Sequence, residues 1–74
     1  MRIYDIFYNN VCVMRCAAMD PVEAYKKKCK VNKLPFLIVK DINRNETYKV
    51  TYFPHTYGKS DFLVEEIFRA PDFP

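Results

Sequence analysis

The stretch RIYDIFYNNVCVMRC places two runs of β-branched and aromatic residues on either side of Asn9 and Asn10. Such runs are typical of strands. Because asparagine accepts the positive φ angles of a two-residue type I′ turn, the pair predicts a tight hairpin in which Tyr8 pairs with Val11. One face of this hairpin then carries Tyr4, Ile6, Tyr8, Val11 and Val13, and the other carries Ile3, Phe7, Cys12, Met14 and Cys16. Both faces are apolar, so each needs another surface that shields it from solvent.

The segment MDPVEAYKKKC carries the clearest helix signal of the chain. Asp20 is the expected N-cap, Pro21 fits the first helical position, and Glu23 is spaced to complete a capping box. At 100° per residue, Val22, Tyr25 and Cys29 form a narrow apolar stripe. We therefore expect the helix to pack by this stripe and to turn its lysines to solvent.

The second half of the sequence predicts the same order of elements as the first, two strands followed by a helix. FLIVKD and ETYKVTYF predict a second hairpin around INRN, and SDFLVEEIFRA predicts a second helix with Ser60 as its N-cap. Its apolar stripe consists of Phe62, Leu63, Val64, Ile67 and Phe68. Pro71 ends this helix, so residues 69–74 are expected to form a C-terminal tail.

These elements predict an α+β fold, a small antiparallel four-stranded sheet with two helices in the order ββαββα, in one domain spanning 1–74. A chain of 74 residues buries only about 60% of its unfolded surface. Because two helices cover one sheet face, we expect a homodimer to cover the other or to form through the second helix; alternatively, bent strands bury both faces internally. The expected partner or dimer interface comprises Tyr4, Tyr8, Phe62, Leu63, Ile67 and Phe68.

Catalytic and metal-binding patterns are missing from the sequence. His55 stands alone in a loop, and no nucleophile elbow, phosphate loop or zincin helix is present. In a regular strand Cys12 and Cys16 lie roughly 13 Å apart, beyond the ~7 Å reach of a disulfide. We expect reduced thiols and a cytoplasmic, non-enzymatic protein with no metal, cofactor, small-molecule substrate or membrane segment.

The stretch YKKKCKVNK concentrates five of the chain's twelve lysines and arginines, and the net charge is +3. Lysines contact phosphates, and tyrosines stack on unpaired bases. The leading hypothesis is therefore binding of RNA or an RNA-bearing complex. Two alternatives stay open, a solvated helix face and a protein–protein inhibitor or adaptor with an apolar aromatic anchor and no nucleic-acid contact. The predicted nucleic-acid-binding residues are Lys26, Lys27, Lys30, Lys33, Lys40, Arg44 and Lys49.

In IYDIFYNN and VKDINRNETYKVTYF the chain is glycine-poor and rich in Asn, Tyr, Lys and Phe. This composition resembles that of the small early proteins with which T4-like bacteriophages take over their hosts. The resemblance implies a viral protein in the host cytoplasm that inhibits or regulates a host factor, including toxin or defence systems. It assigns no functional residue.

Overall fold

The computed structural model describes residues 1–54 and 61–69, which form an antiparallel five-stranded sheet and one helix. Two predicted features, the loop containing His55 and the N-cap Ser60, lie outside the described residues, as does the tail beyond Arg69. The elements in chain order are β1 Arg2–Tyr8, β2 Val11–Ala18, α1 Pro21–Lys28, β3 Phe36–Asp41, β4 Glu46–Phe53 and β5 Asp61–Arg69.

The strands lie in the order β2-β1-β3-β4-β5. Each neighbouring pair is antiparallel. The helix α1 connects β2 to β3 and packs across one face of the sheet, which we call the helix face. The opposite face, the open face, carries no helix from the described part of the chain.

The predicted ββαββα order is wrong in its last element. Residues expected to form a second helix instead form β5, which pairs with β4 from Glu46↔Arg69 to Phe53↔Asp61. Without β5, the eight-residue strand β4 would leave its backbone hydrogen-bonding groups unpaired at the sheet edge. Phe, Val and Ile also suit a strand, so edge pairing outweighs the helical spacing of the apolar residues.

The first hairpin confirms the predicted turn. Asn9 and Asn10 have φ angles of 51° and 65°, and Tyr8 pairs with Val11. The predicted faces are wrong beyond this turn, because Phe7 pairs with Cys12 whereas Ile6 pairs with Met14. This bulge inserts one residue into β2. As a result Cys12 and Cys16 lie on opposite faces, and all three cysteines are free thiols.

The second hairpin has the predicted strands and turn, β3 and β4 around residues 42–45. Asp41 fixes the turn, because one carboxylate oxygen accepts hydrogen bonds from the backbone N–H groups of Asn43 and Arg44, both at 3.1 Å. Asn45 supplies a positive φ of 54°. The chain reversal is therefore encoded locally.

The helix begins as predicted. Asp20 accepts a hydrogen bond from the N–H of Glu23 at 2.8 Å. The carboxylate of Glu23 reaches back to the N–H of Met19 at 3.2 Å, one residue before the cap. This reciprocal capping fixes the direction in which α1 crosses the sheet.

Among the described residues, the large buried apolar side chains lie between α1 and the helix face. Tyr4 is fully buried there, although it was expected at an exposed interface. The predicted stripe is nearly correct, since Tyr25 and Cys29 are buried while Val22 is only half-buried. The core consists of Tyr4, Ile6, Ala18, Ala24, Tyr25, Cys29, Leu37, Val39 and Val50.

Candidate nucleic-acid interface

A groove of about 480 Å³ opens between the C-terminal half of α1 and the neighbouring ends of β4 and β5. Its lining consists of Lys26, Lys30, Lys33, Tyr52 and Phe62. We call it the lysine–aromatic groove. No acidic side chain is among these lining residues, so its charge in the described part of the chain is uniformly positive.

Two aromatic rings, those of Tyr52 and Phe62, line this groove, and the buried ring of Tyr25 contacts both. Tyr25 stacks nearly parallel to Tyr52, with ring centroids 6.1 Å apart and an interplanar angle of 14°. It meets Phe62 edge to face at 5.2 Å, and Tyr52 and Phe62 lie 5.6 Å apart. Because each ring touches the other two, Tyr52 and Phe62 are held in place at the surface.

Tyr25 anchors this aromatic cluster from below. Its side chain is fully buried, and its hydroxyl donates a hydrogen bond to the carbonyl of Leu34 at 2.5 Å. Burial raises the pKa of the Tyr25 phenol well above its ordinary value. The phenol therefore stays neutral at physiological pH and adds no negative charge beneath the lysines.

The lysines of the groove come from one side of α1 and from the loop after it. Lys26 lies in the last turn of α1, whereas Lys30 and Lys33 follow the helix end at Lys28. The Lys26 ammonium lies 5.5 Å from the centroid of the Phe62 ring. Lys33 donates to the carbonyl of Cys29 at 2.6 Å, so it also caps the helix C-terminus.

A second cavity of about 400 Å³ adjoins the groove and shares Lys30 with it. Its lining follows the loop after α1 and includes Lys28, Cys29 and Asn32. The positive surface therefore continues around the end of the helix, beyond the two aromatic rings.

Lys27 is directed away from the groove. Its ammonium donates a hydrogen bond to the carbonyl of Ala17 and lies 3.8 Å from a carboxylate oxygen of Glu23. The contact with Ala17 holds α1 against β2, and the contact with Glu23, within α1, partly neutralises the charge. This placement gives Lys27 a structural role and separates it from the other predicted binding lysines.

The remaining predicted basic residues lie elsewhere on the sheet. Lys40 and Lys49 are on the open face, where they stand opposite Asp5 and Glu65 in the strand register. The Lys49 ammonium also lies 4.8 Å from the centroid of the Phe36 ring. Arg44 is in the β3–β4 turn, at the other end of these strands from the groove. The seven predicted residues thus fall into separate regions.

The residues expected at an apolar interface are also separated. Phe62 lines the groove, while Leu63, Ile67 and Phe68 are about half exposed along β5, at 46%, 53% and 53%. Tyr8 packs against the core and lies 6.2 Å from the Phe36 ring. Within the described residues, β5 therefore exposes several large apolar side chains, as β2 does at Val11 and Val13.

Sequence reasoning did not single out Tyr25 or Tyr52 as site residues. The alternation of β4 placed Tyr48, Val50 and Tyr52 on one face, and the helix stripe contained Tyr25. Combining these two patterns would have indicated an aromatic contact, because helix stripes pack on the apolar faces of sheets. The strand order, which brings the end of β4 beneath α1, could not be derived from these sequence patterns.

Within the part of the chain described, no three His, Cys, Asp or Glu side chains group closely enough to hold a metal ion. The described helix α1 has eight residues, far fewer than the roughly 20 needed to cross a bilayer. The chain matches no protein-family model, and no curated protein or solved structure shows significant similarity to it.

Proposed function

We propose that this protein is a non-enzymatic module that binds single-stranded RNA through the lysine–aromatic groove. One observation carries the proposal: Lys26, Lys30 and Lys33 surround two fixed aromatic rings in a single groove. Phosphates interact with ammonium groups, and unpaired bases stack on aromatic faces. A groove of about 480 Å³ is within the roughly 300–1,000 Å³ range of ligand sites.

The ammonium groups and rings have separate roles in this proposal. The lysines contact successive phosphates and supply affinity that depends on salt but not on sequence. Tyr52 and Phe62 provide ring faces for bases, each stack contributing about 1–3 kcal/mol. Because the lining contains no Arg, Asn, Gln, Asp or Glu side chain, we expect selectivity for unpaired strands over particular sequences.

We propose the biological target from the compositional resemblance alone, because the groove does not bear on it. In the setting that the resemblance to early proteins of T4-like bacteriophages implies, the ligand is host RNA or the RNA of a host ribonucleoprotein complex. The protein would then act as an inhibitor or regulator of that host factor by occupying its RNA in the host cytoplasm.

Fluorescence anisotropy with a labelled single-stranded RNA oligonucleotide tests the proposal. Three phosphate contacts predict a slope of about −2 for log K against log salt concentration, since each contact to a single strand contributes about −0.7. Lys30→Glu should weaken binding by about tenfold and flatten the slope. Arg44→Glu makes the same charge change away from the groove and should leave binding nearly unchanged.

The same assay and a pull-down distinguish RNA binding from the alternative function, which is capture of a protein by an apolar anchor. Serine at both Leu63 and Phe68 alters the exposed apolar surface of β5 while leaving the groove intact. If this double variant loses a cellular partner that nuclease treatment does not release, and wild type shows no salt-dependent RNA binding, the RNA proposal is rejected.

A further inference from the structure

We call the second cavity, which adjoins the lysine–aromatic groove, the loop cavity, because the loop after α1 forms most of its lining. Its volume is about 400 Å³, and it shares Lys30 with the groove. Its lining consists of Lys28, Cys29, Lys30, Val31, Asn32 and Leu34. The groove offers ammonium groups and aromatic rings, whereas the loop cavity also offers the amide side chain of Asn32. The two spaces therefore differ in the chemistry with which they can hold a nucleotide.

Hydrogen bonds to the helix hold both ends of this loop. At its start, the N–H of Cys29 donates to the carbonyl of Tyr25 at 2.8 Å. Further along, the Lys33 ammonium donates back to the carbonyl of Cys29 at 2.6 Å, and the carbonyl of Leu34 accepts the hydroxyl of Tyr25. Asn32 is exposed between these fixed points. Its amide is thus available on a loop that needs little ordering to meet a ligand.

The hydrogen-bonding groups around the loop cavity suit a nucleobase that carries an amino group. An α-helix leaves its last carbonyls without intrahelical partners, and Lys28, the last residue of α1, lines this cavity. The amide of Asn32 presents a donor and an acceptor side by side. Adenine offers the complementary pair, an acceptor at N7 and a donor at N6, and asparagine pairs with both at once.

The apolar lining of the loop cavity suits the flat face of the same base. Val31 is 86% exposed, and Leu34 is half-buried against the core. A base placed in the cavity would remove part of this apolar surface from water. Guanine fits less well than adenine, because it carries acceptors at both N7 and O6, and one of them would face the acceptor oxygen of the Asn32 amide.

We propose that the loop cavity is an adenine subsite in which Asn32 pairs with the N6 and N7 atoms of one base of the bound RNA. The subsite rests on the proposed RNA function, since the strand held in the lysine–aromatic groove delivers the base. Lys30, which lines both spaces, contacts the phosphate between this base and the one stacked in the groove. The cavity adds a preference at one position to a groove that binds unpaired strands of any sequence.

Fluorescence anisotropy with two labelled strands tests the subsite. One is an oligouridine of about eight nucleotides, and the other differs by a single central adenosine. Wild type should bind the adenosine strand about tenfold more tightly, as one bidentate base contact allows. Asn32→Ala should bind both strands alike, with its affinity for oligouridine within about twofold of wild type. That retained affinity also shows that the variant is folded.

The matched control is Asn43→Ala. Asn43 is exposed in the β3–β4 turn, and its backbone N–H, which donates to Asp41, is kept in the variant. The preference for adenosine should therefore stay at its wild-type value. A third strand carries 7-deazaadenosine, which lacks the N7 acceptor, and should lose most of the preference in wild type but change nothing in Asn32→Ala.

Equal affinity of wild type for the two strands would overturn the subsite, as would a preference that survives Asn32→Ala. Full preference for the 7-deazaadenosine strand would overturn it as well, because the N7 contact would then be absent. These outcomes differ from failure of the RNA function. Tight, salt-dependent and equal binding of both strands rejects the subsite alone, whereas no salt-dependent binding of either strand rejects the groove together with the subsite.

Discussion

The two faces of the sheet both carry lysines and aromatic rings, but they arrange them differently. On the open face, Lys40 and Lys49 stand opposite Asp5 and Glu65 in neighbouring strands. Beside the helix, Lys26 and Lys30 share a groove with two rings and no lining carboxylate. Because no carboxylate is among the lining residues of the groove, we expect it to attract an anion more strongly than the open face does.

The two faces also differ in how strongly packing constrains their aromatic side chains. Tyr25 is fully buried and contacts both rings of the groove, whereas Phe36 on the open face is half-buried and lies beneath Lys49. A preorganised ring loses less freedom when a base stacks on it. Helix α1 and the loop after it therefore supply the positive charge of the proposed site, and Tyr25 of α1 supplies its rigidity.

The largest expected effect concerns stability. Tyr25→Ala should lower the free energy of unfolding by about 3–5 kcal/mol, because it empties the core beneath the groove and removes the hydrogen bond to Leu34. Ile38→Ala, on the open face, should cost roughly 1–2 kcal/mol, since Ile38 is only half-buried. Urea denaturation monitored by circular dichroism measures both. Equal losses would mean that the helix face is not the dominant core.

The next effect compares lysines on the two faces. Lys26→Glu should reduce RNA affinity about tenfold, because it removes a phosphate contact and adds repulsion in the groove. Lys49→Glu changes the charge equally on the open face and should alter affinity by less than about twofold at moderate salt. Anisotropy titrations at matched ionic strength measure the difference. A larger loss from Lys49→Glu would place the RNA on the open face.

A smaller effect is expected from the aromatic wall. Tyr52→Leu keeps the groove apolar but removes a stacking face, so RNA affinity should fall by about 1 kcal/mol, roughly fivefold. Tyr8→Leu, at the hairpin end near Phe36, is the matched control and should bind as wild type does. The salt slope should stay unchanged in both variants, because neither alters a charge. A flattened slope for Tyr52→Leu would contradict a purely stacking role.

The smallest expected effect is a change in Tm caused by an ion pair on the open face. Arg15 donates two hydrogen bonds to Asp5, at 2.6 and 3.0 Å, and these lower the pKa of the Asp5 carboxyl. The ion pair therefore stabilises the fold above the unfolded-state pKa of about 4, and its contribution disappears as pH falls through the folded-state pKa. We expect Asp5→Asn to lower Tm slightly at neutral pH.

Melting curves of wild type and Asp5→Asn at several pH values test whether the ion pair stabilises the fold at neutral pH and not in acid. The difference in Tm should shrink toward zero in acid, and salt should reduce it at neutral pH because Arg15 is largely exposed. A difference that grows as pH falls would show that Asp5 is held in its protonated form instead.

Local signals were sufficient to predict four of the strands and the helix. The Asn9–Asn10 turn, the cap at Asp20 and the turn after Asp41 each depend on residues within a few positions of one another. Such features need no knowledge of the tertiary structure, so their positions follow from the residues that form them.

The errors arose where distant pairing decides the outcome. The segment SDFLVEEIFRA has helical spacing of its apolar residues, and the free edge of β4 determines that Asp61–Arg69 within it form a strand. The bulge in β2 likewise could not be predicted, because assigning side chains to alternate faces assumes that the strands pair regularly. For the site, helical spacing grouped Lys26, Lys27 and Lys30, but Lys27 contacts Ala17 instead. Only the strand order brings Tyr52 and Phe62 beneath the other two lysines.

The most direct test of the central claim is an amide chemical-shift titration of the labelled protein with a single-stranded RNA oligonucleotide. The account predicts that the largest shifts occur in the second half of α1, in the loop through Leu34, and near Tyr52 and Phe62. Amides of the open face, around Ile38 and Lys49, should change little. Shifts confined to the open face, or no shifts at low salt, would contradict the lysine–aromatic groove as the RNA site.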